Sequence, residues 1–416
     1  MKILLKEKII RIWQFIKAQK ESYITTYLAN QIKQKNTKIT VVFIVYFPEA
    51  FASFQALYKM LKSDNRFNVY ILCQPFLENP SINNSYLFLS ERYSDVINAY
   101  ENSKWYNLEK LTPDYVFYCR PYNPDYYEKY NSSTVRKYAN VCFITYAYNL
   151  ENKKDYNFNF VNNYDFLQNC SYIFTSTDYE KKILKKRFLL SMLINSYPKI
   201  LFLGFPRFDL YYKKQDVQTK NKKFTILYTP RWTSSLKKKN QVGSFLTYID
   251  HFYNYAKNNH DIKIIIRPHP LMFTHYIENG IVESDYFEML ENDFKCIGNI
   301  FMDKNKDYSK SLEEADVFVS DYTSLLVEYF VSSKPVIYLG KLDLFNSDTK
   351  KMCKSFYMAD SWMKIEKKLD QIRNGQDNLF YERKKLFPEI IKNYGKASEN
   401  ILNFLLKEYY KRGVVL

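Results

Sequence analysis

The chain has 416 residues, which is more than one ordinary hydrophobic core holds and fits two domains of roughly 150 to 200 residues. Apolar residues make up 46% and only 8 residues are Gly, so the composition excludes disorder and predicts a packed globular protein. Lys plus Arg outnumber Asp plus Glu by 61 to 44, a formal net charge of +17 that favours anionic partners. Nucleic acid is the weakest of these partners, because the basic residues are dispersed and no recognition motif accompanies them.

The cysteines and acidic residues give no sign of a metal site. The six cysteines lie far apart with no Cys-x-x-Cys pair, which predicts buried, reduced thiols in a cytoplasmic protein. No Asp-x-Asp occurs, so a divalent-metal clamp of that type is not indicated, and we expect no cofactor or metal. No run approaches the ~18 apolar residues needed to span a bilayer, and charges interrupt any signal-peptide core.

Residues 1–37 begin with a predicted basic amphipathic helix. Leu5, Ile9, Ile12 and Ile16 follow helical spacing, and the first twenty residues hold six cations against Glu7 alone, 6 − 1 = +5. Such a helix can lie in an anionic membrane interface. A helix packed on its own domain with a solvated basic face fits the pattern equally well.

The next segment, 38–210, alternates strand and helix patterns and predicts one α/β domain. Repeated βα units imply a parallel sheet covered on both faces. Helical or loop stretches such as Glu49–Lys62 and Asp178–Leu193 separate the predicted strands. The predicted strands are Ile39–Phe47, Phe67–Gln74, Asp114–Cys119, Asn140–Tyr146, Ser171–Ser176 and Lys199–Leu203.

A polar stretch, Tyr211–Lys223, predicts a hinge, and the pattern then restarts over 224–387. We therefore expect two doubly wound domains that face each other across a cleft, with 388–416 as helix at the domain junction. The second-domain strands are Phe224–Tyr228, Ile262–Ile266, Ala315–Val319 and Pro335–Leu339, and its helices include Gly243–Lys257 and Asp321–Val331.

Arg267-Pro268-His269-Pro270 follows one of these strands, at an edge where α/β sheets bind ligands. Both Arg267 and His269 precede a proline, which favours extended geometry, and residues two apart in an extended chain point to the same side. Arg offers a charge-assisted fork to phosphate, and His can donate to it or move a proton. A rigid loop in which His269 only caps a backbone carbonyl is the structural alternative.

Ser320-Asp321-Tyr322-Thr323-Ser324 follows another strand and opens a predicted helix. Ser320 or Asp321 is expected to cap the helix, and its first amides with the hydroxyls of Thr323 and Ser324 could hold a phosphate. Glu328 lies one turn further, where it could accept hydrogen bonds from a ribose. Ordinary capping of an amphipathic helix explains the same residues without any ligand.

Two arginines follow other strand ends. Arg231 stands in Tyr228-Thr229-Pro230-Arg231-Trp232, and Arg207 stands in Gly204-Phe205-Pro206-Arg207-Phe208-Asp209. A surface cation or an ion-pair partner is the usual fate of a single Arg. Their shared position after strand ends favours phosphate contact.

Taken in chain order, these motifs and Lys334-Pro335-Val336-Ile337-Tyr338 resemble the CDP-glycerol:poly(glycerophosphate) glycerophosphotransferase family. The resemblance is good over Leu203–Leu339, and the part of the chain before Leu203 matches only in outline. The resemblance implies a two-domain glycosyltransferase-B fold with an acceptor-side domain over 38–210 and a CDP-binding domain over 224–387. It makes His269 catalytic, places Thr323 and Ser324 at the donor pyrophosphate, and puts Glu328 near the donor.

The sequence departs from the family in two places. The usual Pro-Thr-x-Arg here reads Pro230-Arg231-Trp232-Thr233, which moves the Arg by two positions. The first-domain Trp-His-Gly, whose histidine the family uses as base, is missing, because all four histidines lie in the second half. The corresponding region offers Tyr146 or Glu151 instead, unless His269 works as the sole base or the acceptor or reaction differs.

The sequence therefore predicts a transferase that moves glycerol phosphate, or a similar phosphoryl-linked unit, from a CDP-activated donor to a hydroxyl of a surface glycan or lipid-linked acceptor. Arg231, Arg267 and the helix start at Ser320 would neutralise charge at the donor phosphates. We expect it in the cytoplasm, peripheral at the inner membrane. The alternatives are a glycosyltransferase that uses a nucleotide sugar and a non-catalytic member of an assembly complex.

Overall fold

A computed structural model of the protein describes residues 13, 16, 38–212, 222–232, 243–269, 271–305 and 307–411. These residues divide into two compact units, 38–212 with 393–411, and 222–392. The predicted N-terminal helix lies outside the described residues except for Trp13 and Ile16, and most of the predicted hinge lies outside them as well.

The first unit contains a parallel sheet of seven strands in the order β3-β2-β1-β6-β7-β8-β9. All seven residues of β1 are buried, because helices cover both faces of the sheet. Strand order reverses between β1 and β6, which makes this the topological switch point. The strands are β1 Ile39–Val45, β2 Phe67–Cys73, β3 Val96–Asn98, the antiparallel hairpin β4 Tyr100–Glu101 and β5 Lys104–Trp105, β6 Tyr115–Tyr118, β7 Asn140–Ile144, β8 Tyr172–Phe174 and β9 Lys199–Leu201.

The two stretches of the first unit that were expected to be helix or loop each contain two helical pieces. Over Glu49–Lys62 a 3-10 turn, Pro48–Ser53, is followed by α1. Over Asp178–Leu193 two helices meet at Phe188, whose buried ring stacks on Tyr164 at 5.1 Å. The helices are α1 Gln55–Ser63, α2 Asn84–Ser90, α3 Ser132–Val135, α4 Tyr156–Val161, α5 Tyr164–Leu167, α6 Asp178–Arg187, α7 Leu189–Asn195 and α8 Pro206–Asp209.

The second unit contains a parallel sheet of six strands in the order β12-β11-β10-β13-β14-β15. Here strand order reverses between β10 and β13. Ile226, Ile264 and Val319 are among its fully buried core residues. The strands are β10 Phe224–Thr229, β11 Ile262–Ile266, β12 Ile300–Met302, β13 Val317–Ser320, β14 Val336–Tyr338 and β15 Tyr357–Met358.

The last helix of the chain returns to the first unit. The amides of Ala397 and Ser398 at its start donate to Asp209, at 3.2 and 2.7 Å, and further along Tyr115 donates its hydroxyl to Leu405 O at 3.0 Å. The remaining helices are α9 Phe245–Asn258, α10 Leu271–Glu278, α11 Tyr286–Ile297, α12 Ser309–Glu314, α13 Leu325–Val331, α14 Ser347–Met352, α15 Trp362–Arg373, α16 Phe380–Ile390 and α17 Ala397–Tyr410. Among the helices that the structure describes, none is long and apolar enough to cross a membrane.

Candidate functional site

The predicted donor-binding residues lie at the carboxyl edge of the second sheet. β10 pairs in parallel with β11 on one side and with β13 on the other, so the three strands end side by side. The segments that follow them, 230–232, 267–269 and 321–324, are therefore neighbours. Because β10 and β13 flank the switch point, this edge is where an open α/β sheet is expected to bind a ligand.

Arg231 joins two of these segments. Its Nη1 lies 3.4 Å from the carbonyl oxygen of Tyr322, and its guanidinium lies 4.7 Å from the centroid of the Tyr322 ring. The Tyr322 ring is itself stacked on the buried Phe345 at 5.3 Å, which fixes its orientation. A positive charge is thus held over the switch point by a ring face and a carbonyl oxygen.

His269 caps the start of α10. Its Nδ1 accepts a hydrogen bond from the backbone amide of Leu271 at 3.2 Å, and its carbonyl oxygen accepts from Met272 at 2.8 Å. An amide nitrogen can only donate, so the neutral imidazole carries its proton on Nε2. Nδ1 thus caps a backbone amide, whereas the structural alternative expected His269 to cap a backbone carbonyl, and Nε2 remains the N–H of the ring.

The surroundings of His269 favour its neutral form. His269 is exposed to solvent, so the desolvation of its imidazole is only partial. This partial desolvation is the larger cause, and repulsion from Arg231 the smaller, of a pKa lowered from 6.5 to about 4. At neutral pH His269 is thus an uncharged N–H donor.

Arg267 makes a different set of contacts from His269. Its Nη1 lies 2.6 Å from Asp303 Oδ2, its Nη2 donates to Asn305 O at 2.6 Å, and it lies over the ring of Tyr308 at 5.5 Å. Desolvation raises the pKa of Asp303, but hydrogen bonds from Ser311 and Asn305 and the charge of Arg267 outweigh it and keep that pKa below its usual range. Arg267 therefore braces the loops after β11 and β12.

The expected capping by Ser320 or Asp321 is wrong. The helix α13 begins at Leu325, and Ser320 bonds to Thr229 instead, donating its hydroxyl to the carbonyl oxygen at 2.6 Å. The buried Asp321 accepts from the amides of Arg231 and Ser244, both at 2.7 Å, and from the Ser244 hydroxyl at 2.8 Å. The carboxylate is drawn inward because it satisfies backbone donors on both sides of the loop after β10.

Thr323, Ser324 and Glu328 lie on the turn into α13. Thr323 Oγ1 accepts from the amide of Leu325 at 3.3 Å, and Ser324 is the N-cap residue without a side-chain capping bond. Both hydroxyl residues are half-buried. Glu328 is buried, and its Oε1 accepts from the Tyr308 hydroxyl at 2.8 Å.

Arg207, Tyr146 and Glu151 all belong to the first unit. Arg207 is buried in α8, with its guanidinium 5.5 Å from the ring of Tyr211. Tyr146 follows β7, and burial raises its pKa more than the charge of Arg120 lowers it. Glu151 is half-buried, and its amide donates to Asn149 at 3.2 Å. A tyrosine with a raised pKa keeps its proton at neutral pH.

Arg120 is a residue that the motif search missed. It follows β6 at the switch point of the first sheet and pairs with Asp125, with Nη2 2.7 Å from Oδ2. Three rings surround it, with centroids 5.0 to 5.3 Å from the guanidinium: Tyr46, Phe47 and Tyr122. The rule that singled out Arg231, a cation directly after a buried strand, would have found it in Tyr118-Cys119-Arg120-Pro121.

No metal site is evident in the described part of the chain. Among residues 38–212, 222–232, 243–269, 271–305 and 307–411, no three His, Cys, Asp or Glu side chains are grouped to hold an ion.

Two doubly wound units, each built on a parallel sheet, define a protein of the glycosyltransferase-B fold. The solved structures agree in fold. UDP-GlcNAc 2-epimerase from Neisseria meningitidis bound to UDP-GlcNAc superposes with a TM-score of 0.58 at 14% identity, covering 89% of this chain and 100% of that one. A variant of the wall teichoic acid polymerase TagF gives 0.54 at 14% identity, with 99% of both chains covered. A TagF variant soaked with CDPG gives 0.53 at 14% identity over the full length of both.

The sequence pattern of the CDP-glycerol:poly(glycerophosphate) glycerophosphotransferase family matches residues 25–359. The chain belongs to that family. The predicted family, the α/β fold class and the CDP-glycerol-dependent transfer of glycerol phosphate are thereby confirmed. No protein of curated function matches the sequence.

Proposed function

We propose that the second unit holds CDP-glycerol at the carboxyl edge of its sheet while an acceptor hydroxyl attacks the phosphorus that carries glycerol. A bond forms between the hydroxyl oxygen and that phosphorus, and the bond from phosphorus to the bridging oxygen breaks. CMP leaves with the bridging oxygen, and the hydroxyl proton passes to solvent. Little covalent chemistry falls to the protein, so catalysis rests on positioning and on charge neutralisation.

The placement of Arg231 carries this proposal. Its charge reaches His269 strongly enough to lower that pKa, and its guanidinium contacts Tyr322, so one cation serves the segments after β10, β11 and β13. A diphosphate at this edge would lie among Arg231, His269 and the hydroxyls of Thr323 and Ser324. Glu328 would accept a ribose hydroxyl of the nucleoside in place of Tyr308.

His269 acts in this proposal as a donor and not as a base. Because Nδ1 accepts from the amide of Leu271, the proton of the neutral ring lies on Nε2. The Nε2–H group would donate a hydrogen bond to an oxygen of the reacting phosphate or of the departing CMP. An uncharged donor of low pKa keeps this role over the whole neutral range. Arg267 positions the loop through Asp303.

A missing first-domain histidine is compatible with this chemistry. Tyr146 retains its proton, since its pKa is raised, and so does not replace that base. Positioning of the acceptor hydroxyl and neutralisation of the charge on the phosphates supply most of the proposed catalysis, so the proposal needs no strong base in the first unit. Glu151 is the other candidate in the first unit and would receive the hydroxyl proton before it passes to solvent.

The test is release of CMP from CDP-glycerol in the presence of a lipid-linked glycan acceptor. His269→Ala should lower turnover about a hundredfold, which is the typical effect of removing one preorganised hydrogen-bond donor to the charge that develops in the transition state. His260→Ala is the matched control, because His260 is exposed in the turn that enters β11, at the opposite end of that strand. Wild-type turnover in the His269 variant would remove the imidazole from the mechanism.

We also propose that the enzyme works at an anionic membrane surface on the cytoplasmic side. Helices α6 and α7 support this contact. Four large aliphatic side chains of α7 are between 46% and 74% exposed: Leu189, Leu190, Leu193 and Ile194. The preceding α6 carries five cations against two acids: Lys181, Lys182, Lys185, Lys186 and Arg187 against Asp178 and Glu180. Exposed apolar groups beside cations match the acyl boundary and head groups of anionic lipid.

Co-sedimentation with vesicles of anionic phospholipid tests this surface. The double change Leu190→Ser with Leu193→Ser should reduce binding at least tenfold, since each buried leucine contributes about 1.5 to 3 kcal/mol. The control is Leu246→Ser with Met363→Ser, which alters exposed apolar residues of the second unit. If deletion of residues 1–20 abolishes binding while the α7 change does not, the N-terminal segment is the anchor.

A further inference from the structure

An open groove of about 520 Å³ lies at the carboxyl edge of the first sheet, outside the donor site. Its lining comes from two loops, Leu77 after β2 and residues within 123–131 after β6. The strands β2 and β6 flank β1, so the groove lies over the end of β1 and next to the switch point. A groove of this size is in the range that holds a small molecule.

The two loops are fixed to each other before any ligand arrives. Gln74 is fully buried, donates from Nε2 to Asp125 O at 2.8 Å, and accepts from the amide of Tyr127 at 3.2 Å. Beneath the groove, Tyr46 packs against Phe76 on one loop and Tyr126 on the other, with ring centroids 4.8 and 6.2 Å away. The shape of the groove is therefore built in by packing and by buried hydrogen bonds.

One side chain in the lining has an unmet bonding capacity. Oδ1 of Asn131 is buried, and no donor in the part of the chain that the structure describes reaches it. Asn131 is the N-cap residue of α3, yet its side chain makes no capping bond. A buried acceptor without a partner is costly, and a hydroxyl group of a ligand would satisfy it after a small rotation of the amide.

The rest of the lining indicates the kind of ligand. Tyr126, Tyr127 and Pro124 offer apolar surface, whereas Asn131 and Glu128 offer hydrogen-bonding groups. Apolar faces alternating with hydrogen-bonding groups suit a molecule with C–H faces and hydroxyl edges. The residues that line the groove include the carboxylate of Glu128 but no Lys or Arg to bind a phosphate, so the chemistry favours a neutral sugar or polyol.

We propose that this groove is the acceptor subsite and binds a neutral, hydroxyl-rich segment of the acceptor, with Asn131 as a specificity-determining residue. The reaction that the bound hydroxyl enters rests on the proposed transferase function. Binding of the segment itself needs neither donor nor turnover. Binding of the acceptor segment and the transfer reaction are therefore tested separately.

Binding is measured by saturation-transfer NMR on the full chain with three probes, ribitol, methyl β-glucoside and N,N′-diacetylchitobiose. Asn131→Ala should weaken binding of the preferred probe at least tenfold and raise KM for the acceptor without changing KM for CDP-glycerol. Its melting temperature should be unchanged or higher, because Oδ1 makes no bond that the fold would lose. Asn258→Ala, at the exposed end of α9, is the matched control.

Leu77→Trp, which fills the groove from the opposite wall, should also abolish binding. The proposal is overturned if the wild-type protein binds none of the three probes, or if both variants melt normally and bind them as the wild type does. If probe binding depends on Asn131 while the wild-type protein releases no CMP from CDP-glycerol and acceptor, the groove proposal holds and the proposed transferase mechanism is contradicted.

Discussion

The two switch points of this protein each hold an arginine against an aromatic ring, but the neighbours of the two arginines differ. Arg120 of the first sheet bonds a carboxylate, Asp125, through two of its nitrogens. Arg231 of the second sheet is oriented by a carbonyl oxygen and by the face of Tyr322, and its charge depresses the pKa of His269. An anion at the first edge would meet the carboxylates of Asp125 and Glu128, whereas an anion at the second edge would meet the charge of Arg231 and the N–H group of His269. The same architecture thus favours an anionic donor at one edge and a neutral acceptor at the other.

Replacing Arg231 and Arg120 by glutamine, one at a time, is the strongest test of the difference between the two sheet edges. Arg231→Gln should lower kcat/KM for CDP-glycerol about a hundredfold, a loss of about 2.7 kcal/mol, because the donor diphosphate loses its nearest cation. Arg120→Gln should leave the rise in melting temperature caused by CDP-glycerol unchanged. If Arg231→Gln and Arg120→Gln reduced the melting-temperature rise caused by CDP-glycerol equally, the two arginines would not differ in donor binding.

The carboxylates next to the two arginines, Asp321 and Asp125, provide a second test of the difference between the two sites. Asp321→Ala should lower the free energy of unfolding by about 2 to 4 kcal/mol, because the amides of Arg231 and Ser244 lose a buried acceptor. Asp125→Ala should cost about 1 kcal/mol or less, since Arg120 and Asp125 are each about one quarter exposed. Urea unfolding measures both, and similar losses would contradict the assignment of Asp321 as the buried brace.

The smallest expected effect is electrostatic and concerns His269. NMR titration of its imidazole should give a pKa of about 4 in the wild type, and Arg231→Gln should raise it part of the way to 6.5, since burial is the larger cause of the shift. Arg120→Gln should leave the pKa of His269 unchanged. The folded pKa lies below the unfolded value, so as pH falls from 6.5 to 4 the unfolded chain takes the proton first. His269 therefore opposes folding in acid and has no such effect above pH 7.

The motifs of the second half were predictable because each follows a short, apolar, β-branched strand. Parallel strands end at one edge, so Arg231, His269 and Thr323 had to be neighbours once the strands were recognised. The start of the helix after β13 was misplaced by four residues, because Ser320 and Asp321 are good caps by type but bond to Thr229, Arg231 and Ser244 instead. Contacts between residues more than seventy positions apart outweighed the local preference.

By itself the sequence determined the alternation of strands and helices, the two parallel sheets and the family. These follow from apolar runs and ordered motifs, which are local properties of the chain. Only the tertiary structure decided that Arg267 braces Asp303, that Nδ1 of His269 is already occupied, and that Arg120 and Asn131 lie at the edge of the first sheet. A side chain's partners depend on residues distant in sequence, and its pKa depends on the burial and charge that those residues create.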